Sequence, residues 1–172
     1  MTFIEKFSII IMLLQGVVMF FDEFYFHHKR KLPKWERIGH PIDTFFFILC
    51  YLVVLFLPMT KLTITVYLFF AILSCLVIIK DEIIHINKCS VYEQYLHAIL
   101  FILHPVVLII LFFTWSSIVN IGVENSIFLK VININNFIKF QFYLVMLFFT
   151  YQIVYWNFIY KENKLNAKIS YK

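Results

Sequence analysis

Residues 22–43 read DEFYFHHKRKLPKWERIGHPID. This stretch closes one apolar run and opens the next. Asp22, Glu23, His27 and His28 lie before its basic middle, and Glu36, His40 and Asp43 lie at its far end. Glu23 and His27 are four residues apart, as are Glu36 and His40. On a helix that spacing is a rotation of only ~40°, so each pair shares a face. Asp43 is seven residues past Glu36 and returns to the same face.

The pairing recurs further on. Asp81 and Glu82 precede His85, Glu93 precedes His97 by four, and His104 follows His97 by seven. All six histidines lie between residues 27 and 104, and seven of the ten acidic residues lie between 22 and 93. The polar groups therefore form four carboxylate–histidine groups, each placed on one predicted helix.

Composition sets their surroundings. Of 172 residues, 62% are hydrophobic, 20% aromatic and only 15% charged. A soluble domain of this length cannot hide so much apolar surface. Five apolar runs are long enough to cross a bilayer as helices, at about 7–27, 39–57, 62–84, 92–115 and 138–160. The expected fold is an all-α integral membrane protein, an antiparallel four-helix bundle plus a fifth transmembrane helix, in one domain over residues 1–172. The first run has no small-residue cleavage site and continues into Asp22 and Glu23. It is read as a retained span rather than a signal peptide.

The net charge of +5 is explained by orientation. One set of span ends collects 11 Lys and Arg, and the other collects 4. The richer side is expected to be cytoplasmic, with the N-terminus outside and the C-terminus inside. Trp35, Tyr92, Tyr95, Tyr155, Trp156 and Tyr160 fall near the inner boundary and Trp115 near the outer one, as amphipathic rings prefer. The usage of Ile, Phe, Lys and Asn suggests an AT-rich genome, and hence a bacterial inner membrane. The expected partners are the bilayer and a lipid-soluble substrate. No nucleic-acid pattern is present. The residue 119–137 connection is expected along the outer surface. The three cysteines form no CxxC. Cys50 and Cys75 read as packed thiols, and Cys89 as a loop thiol with an alternative reactive role.

Short connections make consecutive spans antiparallel neighbours, so all four groups should converge at the cytoplasmic end. Exposure of a charge to lipid costs several kcal/mol, so the polar stripes should face inward. Imidazole with carboxylate suits iron, zinc and manganese. The expected metal ligands are Glu23, His27, Glu36, His40, Glu82, His85, Glu93 and His97. Asp43 and His104 are the expected catalytic residues, shuttling protons or orienting ligands, with Asp22 and Asp81 as further supports. His28, beside Lys29 and Arg30, reads as an exposed basic residue.

The pattern over residues 22–104 resembles that of di-iron carboxylate bundle proteins, in which Glu-x-x-His recurs on two helices and single Glu residues come from two others. Glu82-Ile83-Ile84-His85 has that spacing, whereas the other pairs have one residue more. The resemblance implies a metal-dependent enzyme, with iron favoured over zinc. It would be an oxidoreductase of hydroxylase or desaturase type, or with zinc a lipid hydrolase.

Other readings stand beside it. The acids could form a structural network with nearby Lys and Arg, for example Glu23 with Arg37, in a small assembly subunit. His104 could simply bond a carbonyl freed by Pro105. A haem-binding electron carrier needs two histidines and a greasy slot, and the surplus of acids opposes it. A channel needs a continuous polar path, and the outer half of every span is nearly apolar.

Overall fold

The computed structural model of the chain describes residues 3–85, 89–119 and 134–160, with side chains at all of these except 80–85 and 116–119. Among the described residues there are helices and no strand. Five helices are long and apolar enough to cross a membrane. They are α1 (Phe3–Arg30), α2 (Glu36–Phe56), α3 (Lys61–His85), α4 (Val91–Val119) and α5 (Ile134–Ile159). Each overlies one expected apolar run. Most of the 119–137 connection lies outside the described residues.

Two helices change type near one end. α1 is α-helical over Phe3–Phe21, π-helical over Asp22–His27 and α-helical again over His28–Arg30. α5 is α-helical over Ile134–Val154 and finishes in a π-helical turn, Tyr155–Ile159.

Paired contacts give the directions. Gln15 meets His104 and Asp22 meets His97, so α1 and α4 run oppositely. Tyr67 donates to the Leu108 carbonyl and Ser74 meets His104, so α3 also opposes α4. Thr44 donates to Gln152 and Tyr51 to Gln141, so α2 opposes α5. α2 and α4 run the same way. Arg30 joins Glu36 to Glu93 at one end, and Trp115 donates to the Leu57 carbonyl at the other.

Local chemistry sets the ends. Thr60 and Thr63 exchange side-chain and backbone bonds at the start of α3, a reciprocal cap of the first turn. Pro41 lies inside α2 and cannot bond the carbonyl four residues back. That carbonyl, of Arg37, accepts instead from Asn157 Nδ2 at 3.4 Å. The proline thereby ties α2 to the π-helical turn of α5.

The apolar core is built around Met12, Tyr51, Val54, Tyr67, Leu111 and Trp115. The outward faces are also apolar: Phe113 is 72% exposed, Leu62 74% and Leu147 68%. Exposed apolar faces of this extent mark membrane or protein contact.

The α1–α2 turn holds Lys31 at φ 67° and ψ 117°, a sparsely populated region costing an L-residue about 1–3 kcal/mol. Its N–H still bonds the His27 carbonyl at 2.8 Å. Lys31→Gly is therefore expected to raise stability by about 1 kcal/mol, and Lys31→Val to lower it. Thermal unfolding in detergent distinguishes these directions.

Candidate metal centre

In an α-helix, residues five apart differ by ~140° around the axis. Asp22 and His27 would then face different neighbours. The i→i+5 bonding of a π-helix brings them to one side, with the His27 ring between the Asp22 and Glu23 carboxylates. All three are buried, Glu23 and His27 at 1% exposure. Asp22, expected only as a support, is thereby placed at the centre of the cluster.

Glu23 holds His27 by one edge. Its Oε2 lies 3.1 Å from His27 Nδ1, and its Oε1 accepts from the Trp156 indole N–H. A carboxylate at Nδ1 fixes the proton there and leaves Nε2 as a lone pair. His27 Nε2 is buried, makes no hydrogen bond among the described residues, and lies 3.2 Å from Asp22 Oδ2. The other oxygen of Asp22 is 3.0 Å from His97 Nε2. The His40 ring sits 4.8 Å from the His27 ring, centroid to centroid. Asp22, His27, Glu93 and His97 each offer a ligand atom within 4.8 Å of the others, and His27, Glu36 and His40 do likewise.

Arg30 binds the acids that open α2 and α4. Its Nη1 and Nη2 donate to the two oxygens of Glu36 at 2.9 and 2.7 Å, and its Nε donates to Glu93 at 2.9 Å. The fork matches a carboxylate as a lysine could not. An ion network with arginine therefore exists, but through Arg30. The Glu23–Arg37 pairing is replaced: Glu23 is bound by His27 and Trp156, while Arg37 donates to the Leu32 carbonyl and stacks over Tyr160.

Among the described side chains, fixed charge is unbalanced. Asp22, Glu23, Glu36 and Glu93 are all buried. Four carboxylates against the one guanidinium of Arg30 leave these five groups at −3. Buried charge without compensation is costly. Protons on His27, His40 and His97 or a bound cation can supply the balance.

A second polar chain lies deeper. Gln15 Nε2 is 3.4 Å from His104 Nδ1, and His104 Nε2 is 2.9 Å from Ser74 Oγ. Ser74 in turn donates to Asp43 Oδ1 at 2.9 Å. One tautomer satisfies every link: Gln15 donates to Nδ1, and Nε2–H donates to Ser74. His104 thus serves side chains of α1 and α3. A cavity of about 100 Å³ touches both layers, with Asp22, His27, His40 and His97 near one end and Asp43 and His104 near the other.

Of the expected ligands, Glu23, His27, Glu36, His40, Glu93 and His97 come together. Glu82 and His85, with Asp81, lie outside the described side chains. His28 is half-buried rather than exposed, with Nε2 2.7 Å from the Tyr151 hydroxyl and its ring against Tyr155. Burial pushes the Cys89 thiol up to about 12, against the opposing pull of Arg30 and with Glu93 and Glu36 adding to the rise. A reactive thiolate at neutral pH is thereby disfavoured.

Sequence reasoning missed Arg30, Gln15, Ser74 and Trp156. Gln15, a strongly polar side chain inside an apolar run, was the one visible signal. No protein-family model matches the chain, and no curated protein or solved structure matches it.

Removing one partner of a buried ion pair costs ~3–5 kcal/mol. Arg30→Ala is expected to destabilise by about that amount, and Arg30→Lys by less. Adding Glu36→Gln and Glu93→Gln to Arg30→Ala should recover most of the loss. Denaturant titration in micelles reads all three.

Proposed function

We propose that the chain is an integral membrane protein, a five-span helical bundle carrying a buried divalent-metal site for an enzyme acting on a lipid-soluble substrate. The observation that carries this reading is His27. One of its nitrogens is fixed by Glu23, and the other is buried 3.2 Å from an Asp22 oxygen with no hydrogen bond. A lone pair facing a carboxylate is repulsive unless a proton or a metal cation lies between them.

The donor set fits such a cation. Nitrogen and oxygen ligands bind zinc at ~2.0–2.2 Å, so neighbouring donors in a first-row metal shell stand ~3–3.5 Å apart. Asp22 with His27 at 3.2 Å and with His97 at 3.0 Å match that spacing. His40 completes the nearest imidazole group. Glu23 orients His27, and Arg30 holds Glu36 and Glu93, which are placed to support the site or to join it on release.

Iron is favoured over zinc through the likeness to di-iron proteins, while the donors suit either. Iron there supplies oxygen activation for hydroxylation or desaturation, with dioxygen and an external reductant. Zinc supplies water activation for hydrolysis of a lipid ester or amide. In both cases the chain's own part is to exclude bulk water and to move protons along Asp43, Ser74 and His104.

On this reading the site lies at the cytoplasmic end of a bacterial inner membrane, with the N-terminus outside, as the basic balance of the span ends supports. With Arg30 set aside as a partner of Glu36 and Glu93, the basic balance is still ten against four. A haem carrier is not favoured, because the buried carboxylates Asp22, Glu23, Glu36 and Glu93 oppose the apolar two-histidine slot that haem needs.

A structural or assembly role is the second reading. It draws on the Arg30 network, which holds Glu36 and Glu93 without any metal.

Elemental analysis of gently purified protein separates the two. About one or two equivalents of iron or zinc are expected per chain. Asp22→Ala and His97→Ala should each lower this at least tenfold. Glu23→Gln should weaken metal affinity about 10–100-fold, as loss of a ligand's supporting partner does. His28→Ala should leave metal content unchanged. Metal-free protein with intact cellular activity would leave only the structural reading.

A further inference from the structure

A second, larger hollow lies beside the polar cavity. It measures about 890 Å³ and runs between α1 and α5, with α2 as its floor. Gly16 and Phe20 form one wall, Phe140 and Leu144 the other, and Phe47 and Tyr51 the base. Phe20, Phe140 and Leu144 are exposed, so the groove opens sideways, along the exposed apolar faces. A Cβ added at Gly16 would meet nothing within 4 Å.

The groove adjoins the polar cavity. Gln15, Met19, Phe47 and Phe148 line both. An occupant reaching inward along α1 passes from aromatic walls to Gln15, and beyond Gln15 stands His104.

Its length and volume decide what fits. The groove spans Met12 to Phe24 on α1, ~18 Å at the helical rise. A hydrocarbon chain of that length fits within about 890 Å³, and the walls it would meet are apolar along most of the way. The volume also falls within the ~300–1,000 Å³ of small-molecule sites.

The geometry points to a binding site for the hydrocarbon chain of a membrane lipid, with the tail between α1 and α5 and its polar end against the cavity that holds Asp43, His97 and His104. This names the substrate class of the proposed enzyme and rests on that reading for its chemistry. The groove and the metal are nonetheless separable by measurement.

The test uses the full chain in nanodiscs containing a long-chain fatty alcohol with a mid-chain diazirine. After photolysis, peptide mapping locates the adducts, and metal content is read on the same samples. Adducts are expected on Gly16, Phe20, Leu144 and Phe148. Gly16→Trp places an indole in the open space and should cut these adducts about tenfold without changing metal content. Leu144→Trp fills the groove from the opposite wall and should act alike, guarding against a folding defect in either variant. Phe113→Trp, on an exposed face outside the groove, should leave the adducts unchanged. Equal labelling of the groove and of the face around Phe113, insensitive to both groove-filling variants, would show ordinary annular lipid and overturn the proposal. Loss of metal from the unsubstituted chain would instead count against the metal site, whatever the labelling pattern.

Discussion

Buried negative charge is the constraint on which the rest of the structure turns. Asp22, Glu23, Glu36 and Glu93 are brought out of water together, and among the described side chains the guanidinium of Arg30 offsets one of the four charges. Such a group is stable only where positive charge is at hand and every oxygen has a partner. The helix termini around it answer that need. The π-helical turn of α1 presents Asp22 and His27 to the same neighbours. The π-helical turn of α5 presents Trp156 to Glu23. The strained turn at Lys31 follows Arg30 directly, and Arg30 reaches the acids that open α2 and α4. π-helical turns occur often at functional sites. Here each of the two supplies a residue to the same carboxylate.

The opposite end of the molecule needs no such arrangement. There, Tyr51, Tyr67, Leu111 and Trp115 pack as an apolar core, and their few polar atoms bond backbone carbonyls or Gln141. Polarity therefore falls along the helices. It passes from the carboxylate–histidine layer, through the chain Asp43–Ser74–His104–Gln15 and the Thr44–Gln152 pair, to hydrocarbon. A lipid-soluble molecule reaching the cluster from the side would meet the reverse gradient, with aromatic walls first and Gln15 last.

Much of this was legible in the sequence. Apolar runs of near-bilayer length fixed the five helices, because hydrocarbon length translates directly into helix length. The spacing of four put Glu23 with His27, and Glu36 with His40, on common faces. The rest depended on departures from α-helical geometry or on contacts across the sequence. An α-helical reading sets Asp22 apart from His27, so its central place was hidden. Arg30 looked like one of several orienting charges, and only folding of the α1–α2 turn turns it onto Glu36. Ser74 is one hydroxyl in an apolar run, and its bond to His104 spans thirty residues of chain. His28 sits in a basic run but is drawn inward by aromatic rings on α5.

X-ray absorption at the edge of the co-purified metal tests the central claim most directly, because it reads the ligand shell. The expected spectrum shows nitrogen and oxygen neighbours at ~2.0–2.2 Å, with the outer-shell pattern of at least two imidazoles from His27, His40 and His97. Asp22→Asn should alter that shell while the helices stay folded. A sulfur shell at ~2.3 Å, or a spectrum without imidazole that is insensitive to Asp22→Asn, would contradict it.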